Sequence, residues 1–453
     1  VWNMFVSASV GFCALAAVTR GLRGDAHMGN FYLDMWRAVA YVFIPSSFFA
    51  AVVLLATGVP MTMESAAQAA PLQSGSMGMS ENGLEKHQFI ARGPVAAVIP
   101  IKHLGTNGGG FFGANSTHPL ENPGGFSNLF ESVSILLFPL SLVVMFGQML
   151  RQMRHAAVIY SVMMLLFAGM LIWAVATDTF TPNPGLAGLP LQHDKYGNLE
   201  GKELRFGPAA GATFAAITTS VTCGSVNCMH DSLNPLAGLT PFTGMWLNCI
   251  FGGKGVGLIN LLVYLILGVF LSGLMVGRTP EYLGKKVEAR EMKLAMLALL
   301  VHPILALGPT GLFAVQKWGT DAVNNPGAHG FSEILYEFSS ASANNGSGFE
   351  GLSDTWGLND NKDAAPFSPH WDIAAGLVML FGRFVPIIAP IALAGSLAAK
   401  KPTPFTAGTL RTDTLTFAFV LIGTILLAGA LLFLPAAILG PVAEHVGPMP
   451  FGG

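Results

Sequence analysis

Charge is what this sequence has least of. Only 11% of its 453 residues are Asp, Glu, Lys or Arg, while 52% are hydrophobic, against about 25% charged in an ordinary soluble domain. So few water-facing side chains cannot cover so much apolar surface, which excludes an ordinary soluble globular protein. Cysteine is scarce as well. Cys13, Cys223, Cys228 and Cys249 are the full set and lie in or beside apolar segments. None forms a C-x-x-C pair, so neither a structural disulfide nor a zinc site is expected. The net charge of −2 is close to balance and points to no nucleic-acid partner. No charged leader region or small-residue cleavage site opens the chain, and Val1 already stands inside an apolar stretch.

Long apolar runs dominate instead. A bilayer core is crossed by roughly 20 helical residues, and eight runs of that order occur, near 2–19, 35–58, 126–150, 156–176, 243–276, 294–314, 372–398 and 415–439. The fold class this predicts is an all-α polytopic membrane protein. Arg20 and Arg23, Arg151 and Arg154, the run from Arg278 to Lys293, and Lys400, Lys401 and Arg411 fall in alternate loops, which marks that side as cytoplasmic. The intervening loops, 59–125, 177–208 and 316–371, are Gly/Asn/Pro-rich and face outward.

Each outward loop holds a short apolar segment that runs into a polar, glycine-rich stretch, too short to span and too polar for lipid. They are 95–105 leading into Thr106-Asn107-Gly108, 211–221 leading into Thr222-Cys223-Gly224, and 331–343 leading into Asn344-Asn345-Gly346. Aligned on Gly108, Gly224 and Gly346, they are spaced by 224 − 108 = 116 and 346 − 224 = 122 residues, the signature of an internal repeat. The unit is helix, re-entrant pore loop, helix, in a pseudo-fourfold arrangement. The expected organisation is 1–30 as the closing helix of a truncated first repeat, and 31–155 as a second repeat with its pore loop at 95–115. A third repeat at 156–290 has its pore loop at 207–232, a fourth at 291–401 has its pore loop at 331–352, and 402–453 holds an extra helix. One more period back from Gly108 falls ahead of Val1, so a further pore loop is expected there. Irregular backbone at membrane depth is tolerated only where protein or a water-filled lumen surrounds it, which favours closing such units around one axis.

Rings of backbone carbonyls replace the hydration shell of an alkali cation in a selectivity filter, and glycine accepts the backbone angles that turn successive carbonyls inward. Thr106, Asn107, Gly108, Thr222, Cys223, Gly224, Asn344, Asn345 and Gly346 are therefore the candidate ion-binding residues. No Asp or Glu stands in these triplets, which favours potassium over divalent ions and leaves sodium open. A phosphate-binding reading of 105–110 fails, since no Lys-Ser/Thr follows it. Asn115-Ser116-Thr117 and Asn345-Gly346-Ser347 match the glycosylation pattern by chance.

Two cations interrupt apolar spans, Lys254 within the run Gly252, Gly253, Lys254, Gly255, and Arg383 within Phe381 to Phe384. Intramembrane charge is costly and usually faces a cavity or a partner. The reading is a gate loop below the filter, with Arg383 limiting or redirecting ion flow; the alternative is interfacial snorkelling. His230-Asp231 and His118-Pro119 follow the second and first pore segments. With no nucleophile or metal set beside them, they read as hydrogen-bonding support for the filter loops rather than as catalysts, and no catalytic residue is expected.

The stretches 105–123 (GTNGGGFFGANSTHPLENP), 222–232 (TCGSVNCMHDS), 277–293 (GRTPEYLGKKVEAREMK) and 338–352 (FSSASANNGSGFEGL) closely resemble the potassium-binding subunit family of the bacterial Kdp pump, over essentially the whole chain. That resemblance implies four non-identical helix, pore, helix repeats. It maps filter residues onto Thr106, Asn107, Gly108, Cys223, Gly224, Asn344, Asn345 and Gly346. It also implies residence in the bacterial inner membrane with a P-type ATPase catalytic subunit, a small single-span subunit and a stabilising subunit. The chain carries no Asp-Lys-Thr-Gly motif and no P-loop, so ATP and magnesium belong to the partner, no cofactor is expected here, and 277–293 is the candidate docking surface. A stand-alone potassium channel or symporter subunit of the same superfamily is the alternative.

Overall fold

A computed structural model describes residues 1–69, 88–181, 183, 197–353, 369–403 and 410–447. Parts of the three outward loops and of the 402–453 segment lie outside the described residues. Among the described residues, eight helices are long and apolar enough to cross a membrane. They are α1 (Trp2–Arg23), α2 (Phe31–Ala56), α4 (Gly125–Leu150), α5 (Met153–Thr179), α8 (Val256–Met275), α9 (Ala289–Ala314), α11 (Pro369–Ala398) and α12 (Leu415–Val446). Between them stand three shorter helices that precede the glycine-rich triplets, α3 (Val95–Leu104), α6 (Gly207–Ser220) and α10 (Gly327–Ala343). At 1.5 Å per residue none of the three reaches across a bilayer core of about 30 Å. Each of the segments expected to be re-entrant, 95–115, 207–232 and 331–352, thus holds a helix too short to span.

One predicted span is corrected. The run 243–276 is not a single helix: its first residues end α7 (Pro235–Leu247), 248–255 is irregular, and α8 begins only at Val256. The break follows from the backbone, because Asn248, Phe251, Gly252 and Gly255 all have positive φ, which a right-handed helix cannot accommodate. The closing helices of the neighbouring repeats, α4 and α11, run unbroken.

The basic loops meet in one layer. Arg20 pairs with Asp34, Arg23 Nη1 donates to the Met149 carbonyl at 2.9 Å, the His155 ring meets the Thr412 carbonyl, and Lys400 pairs with Glu288 and Glu291. At the opposite end the segments flanking the short helices meet one another: Arg205, ahead of α6, donates to the Thr117 and Asn122 carbonyls, and Asn227 to Asn128 at the start of α4. The alternation of loops expected from Lys and Arg placement is therefore the spatial arrangement. Within the basic layer, a hairpin of β3 (Glu281–Tyr282) and β4 (Lys285–Lys286) turns half of the 277–293 motif inward; a second hairpin, β1 (Ala66–Ala69) with β2 (Gln88–Ala91), lies in the outward layer. Tyr282, Lys285, Val287 and Glu291 are buried. Lys285 Nζ donates to the Gly21 and Leu22 carbonyls at 3.3 and 3.1 Å, satisfying acceptors that the end of α1 leaves open.

Lys285→Met is expected to lower stability by about 1–2 kcal/mol by stranding those carbonyls, read as a lower thermal unfolding midpoint in detergent. An unchanged midpoint would mean that the hairpin does not anchor α1.

Candidate functional site

The three triplets share one backbone pattern. Thr106, Thr222 and Asn344 have φ of 40°, 49° and 54°, Gly108, Gly224 and Gly346 have φ of 69°, 81° and 101°, and the residue between has negative φ in every case. Left-handed geometry is uncommon for any residue with a side chain and unusual for β-branched Thr. It recurs at one position in three segments, the kind of backbone strain that clusters at functional sites.

The triplets also touch in sequence order. A Cβ added to Gly108 would lie 2.2 Å from the Cys223 carbonyl oxygen, and one added to Gly224 would lie 2.1 Å from that of Asn345, whereas Gly346 has nothing within 4 Å. The walls therefore follow one another in order, Gly108 and Gly224 each pressed against the carbonyl of the next. α3, α6 and α10 each end within two residues of their triplet, so three C-terminal dipole ends, each equivalent to about half a negative charge, point at the same place. The sequence-predicted filter residues are all brought together, Thr222 among them.

Lys254 and Arg383 are brought there too. Lys254 Nζ lies 3.2 Å from Thr106 Oγ1 and 3.3 Å from Asn107 Oδ1, and Arg383 Nε donates to Asn344 Oδ1 at 3.1 Å. Lys254 is buried, which removes the snorkelling alternative for it. Gly253 sits against the Thr222 hydroxyl, and Gly255 and Gly11 pack backbone to backbone, so the broken loop is wedged between the filter and α1. A cavity of about 30 Å³ lies there, lined by Thr106, Thr222, Asn344, Lys254, Arg383 and Asn260 among others. It has room for about one water.

The loops beyond the filter are tied by side chains. His230 Nδ1 meets the Tyr336 hydroxyl at 2.7 Å, which meets Ser347 Oγ at 2.9 Å, and Ser347 Oγ donates to Asn345 Oδ1 at 2.6 Å. His230 thus braces the third wall from the second repeat's exit loop, as its expected supporting role requires. Asp231 instead takes part in an outer clamp. His329, on α10, places Nε2 2.7 Å from Asp231 Oδ1 and Nδ1 2.8 Å from Glu444 Oε1 on α12. Ligand atoms of Asp231, His329 and Glu333 fall within 4.8 Å of one another, a grouping that sequence reasoning did not find. Both ring nitrogens of His329 are already committed to carboxylates, and Glu333 takes hydrogen bonds from Asn324 and Asn325, so the arrangement is an ion-pair clamp. His118 stacks on Phe112 with ring centroids 3.8 Å apart. Asn115, from the glycosylation-like tripeptide, is buried against Lys102.

Sequence reasoning also missed Lys102. It is fully buried on α3 and pairs with the equally buried Glu121 at 2.7 Å. The signal was present, since it is one Lys in an otherwise apolar ten-residue helix, the same anomaly that singled out Lys254. All four cysteines are free and buried.

The chain matches the family of potassium-transporting ATPase A subunits over residues 1–446. It is 46% identical over 445 residues to the potassium-transporting ATPase potassium-binding subunit of Geobacillus kaustophilus (strain HTA426), an alignment covering 98% of this chain and 75% of that relative.

The outer clamp has a pH signature. Burial lowers the His329 pKa, but the hydrogen bonds and charges of Asp231 and Glu444 outweigh it and raise the value to about 10. A raised folded-state value means the clamp's stabilisation is fully present below the unfolded value of about 6.5 and is lost as pH rises through about 10. The thermal midpoint advantage of the protein over His329→Gln is expected to shrink steadily from neutral pH towards pH ~10. An advantage that does not change with pH would show that His329 carries no charge in the clamp.

Proposed function

Because this chain belongs to the family of potassium-transporting ATPase A subunits, we propose that it binds potassium in the three-walled site and passes it across the membrane as the ion-conducting subunit of an ATP-driven uptake complex. The observation that carries the reading is the contact of glycine with carbonyl from wall to wall. Thr106, Asn107, Gly108, Thr222, Cys223, Gly224, Asn344, Asn345 and Gly346 supply neutral oxygens that replace the hydration shell. The helix ends behind them favour a cation without fixing it by a carboxylate, so the ion can leave. Below them, Gly252, Gly253, Lys254 and Gly255, with Arg383, form a gate: two fixed positive charges on the inner side oppose free passage of a cation and tie release to another event.

That event is ATP hydrolysis on a partner. In this reading the chain needs no cofactor, potassium is its substrate, and ATP with magnesium belongs to a P-type catalytic subunit, assembled with a small single-span subunit and a stabilising subunit in the bacterial inner membrane. The exposed half of the 277–293 motif, Arg278, Lys286, Glu288, Arg290 and Lys293, is the surface offered for docking, since the other half is committed to the fold.

The test is potassium-stimulated ATPase activity of the full-length protein assembled with its partners. Gly224→Ala drives a Cβ into the Asn345 carbonyl and is expected to raise the half-saturating potassium concentration by about tenfold or more; Gly346→Ala, strained by its φ of 101° but without a clash, should be milder. A wild-type complex indifferent to potassium would favour the channel reading, and equal behaviour of the two variants would remove the walls from the filter. Lys254→Met is expected to let rubidium leak from loaded vesicles without ATP, and vesicles as tight as wild type would exclude Lys254 from the gate.

A further inference from the structure

Behind the first two walls lies a buried charged group that takes no part in the ion path just described. Lys102 Nζ donates to Asn115 Oδ1 at 2.6 Å, Ser116 Oγ at 2.8 Å and Glu121 Oε2 at 2.7 Å. All three partners belong to the loop leaving the first wall, and the other oxygen of Glu121 accepts from the Phe112 N–H at 2.8 Å. The ammonium therefore folds the chain after the wall back onto the helix before it.

The same residue reaches the second wall. Ser225, directly after Gly224, has its hydroxyl 3.1 Å from Asn115 Oδ1 and 3.2 Å from Ser116 Oγ, and 3.0 Å from the Nε2 of His103. The Lys102 carbonyl accepts from the Asn107 N–H at 3.0 Å and from the Cys223 thiol at 3.8 Å. Glu131, on α4, places a second carboxylate 3.6 Å from His103. Filter residues of two walls thus hang on the backbone of Lys102; the first wall's exit loop hangs on its side chain, and the second's joins that loop through Ser225.

Burying an ion pair is often no more stabilising than apolar residues of the same volume. Nor does joining two walls require charge, since the neutral chain from His230 through Tyr336 and Ser347 to Asn345 joins the second wall's exit loop to the third wall. We propose that Lys102, paired with Glu121, is a specificity-determining positioning residue that sets the spacing of the first and second walls and so the size of the ion the ring accepts. This rests on the filter reading above. Groups that hold the ligands of a metal ion in place without touching it commonly change affinity when removed, and the clamp stands in that relation to the carbonyls.

Lys102→Met alone leaves Glu121 buried without a counter-charge and is expected to reduce the amount of folded protein. The informative variant is Lys102→Met with Glu121→Gln, which removes both charges, compared with Lys102→Arg in the assembled complex. With ATPase activity stimulated by potassium and by rubidium, the double variant is expected at wild-type amounts in the membrane, with half-saturating potassium raised about tenfold and discrimination between the two ions reduced. Its maximal rate should stay close to wild type, and Lys102→Arg should restore part of the discrimination. A double variant with wild-type half-saturation and ion preference would overturn the proposal. So would failure of the double variant to accumulate, which would assign the pair to folding alone. A wild-type complex without potassium stimulation would reject the ATP-driven reading on which the proposal rests, an outcome distinguishable from both because it precedes any substitution.

Discussion

Irregular backbone cannot face lipid. Each unpaired N–H or carbonyl in the hydrocarbon core costs several kcal/mol, so a chain that exposes carbonyls to an ion at membrane depth must first wall them off from everything else. The architecture follows from that constraint. Short helices enter, stop, and hand the chain to strained triplets, and long apolar helices surround them. The triplets are close enough for Gly108 and Gly224 each to touch the next wall's carbonyl.

Enclosure brings a second problem, because glycine-rich segments have little side-chain packing to hold them in place. This protein anchors them from outside. The first wall is anchored by a buried Lys with its carboxylate, the third by a neutral His-Tyr-Ser chain, and the outermost layer by an imidazole between two carboxylates. Below, the anchoring groups are themselves cations attached to filter side chains. Lys254 and Arg383 thus touch the same residues that form the walls.

Much of this was legible in the sequence. Apolar length located the spans, a recurring glycine the three short helices between them, and Lys and Arg placement the loops that share a layer, and the motifs at 105–123, 222–232, 277–293 and 338–352 indicated the family that the comparison then showed. The run 243–276 misled, because apolar composition fixes how much of a segment tolerates lipid but not whether its backbone stays helical. A glycine run with Asn248 ahead of it was the only warning. The 277–293 motif misled more mildly: density of charge suggested a surface, yet Lys285 and Glu291 spend their charges on the fold.

The sequence by itself determined that the chain lives in a bilayer, which loops share a side, and which nine residues are suited to meet an ion, since these depend on side-chain type and spacing along the chain. Only the tertiary structure decided that the three triplets adjoin, that Lys254 and Arg383 reach them from the same cavity, and that Lys102, His329 and Tyr336 hold them in position. Those are contacts between residues as much as 148 positions apart, and their geometry is set by how the helices pack, which no local pattern of letters encodes.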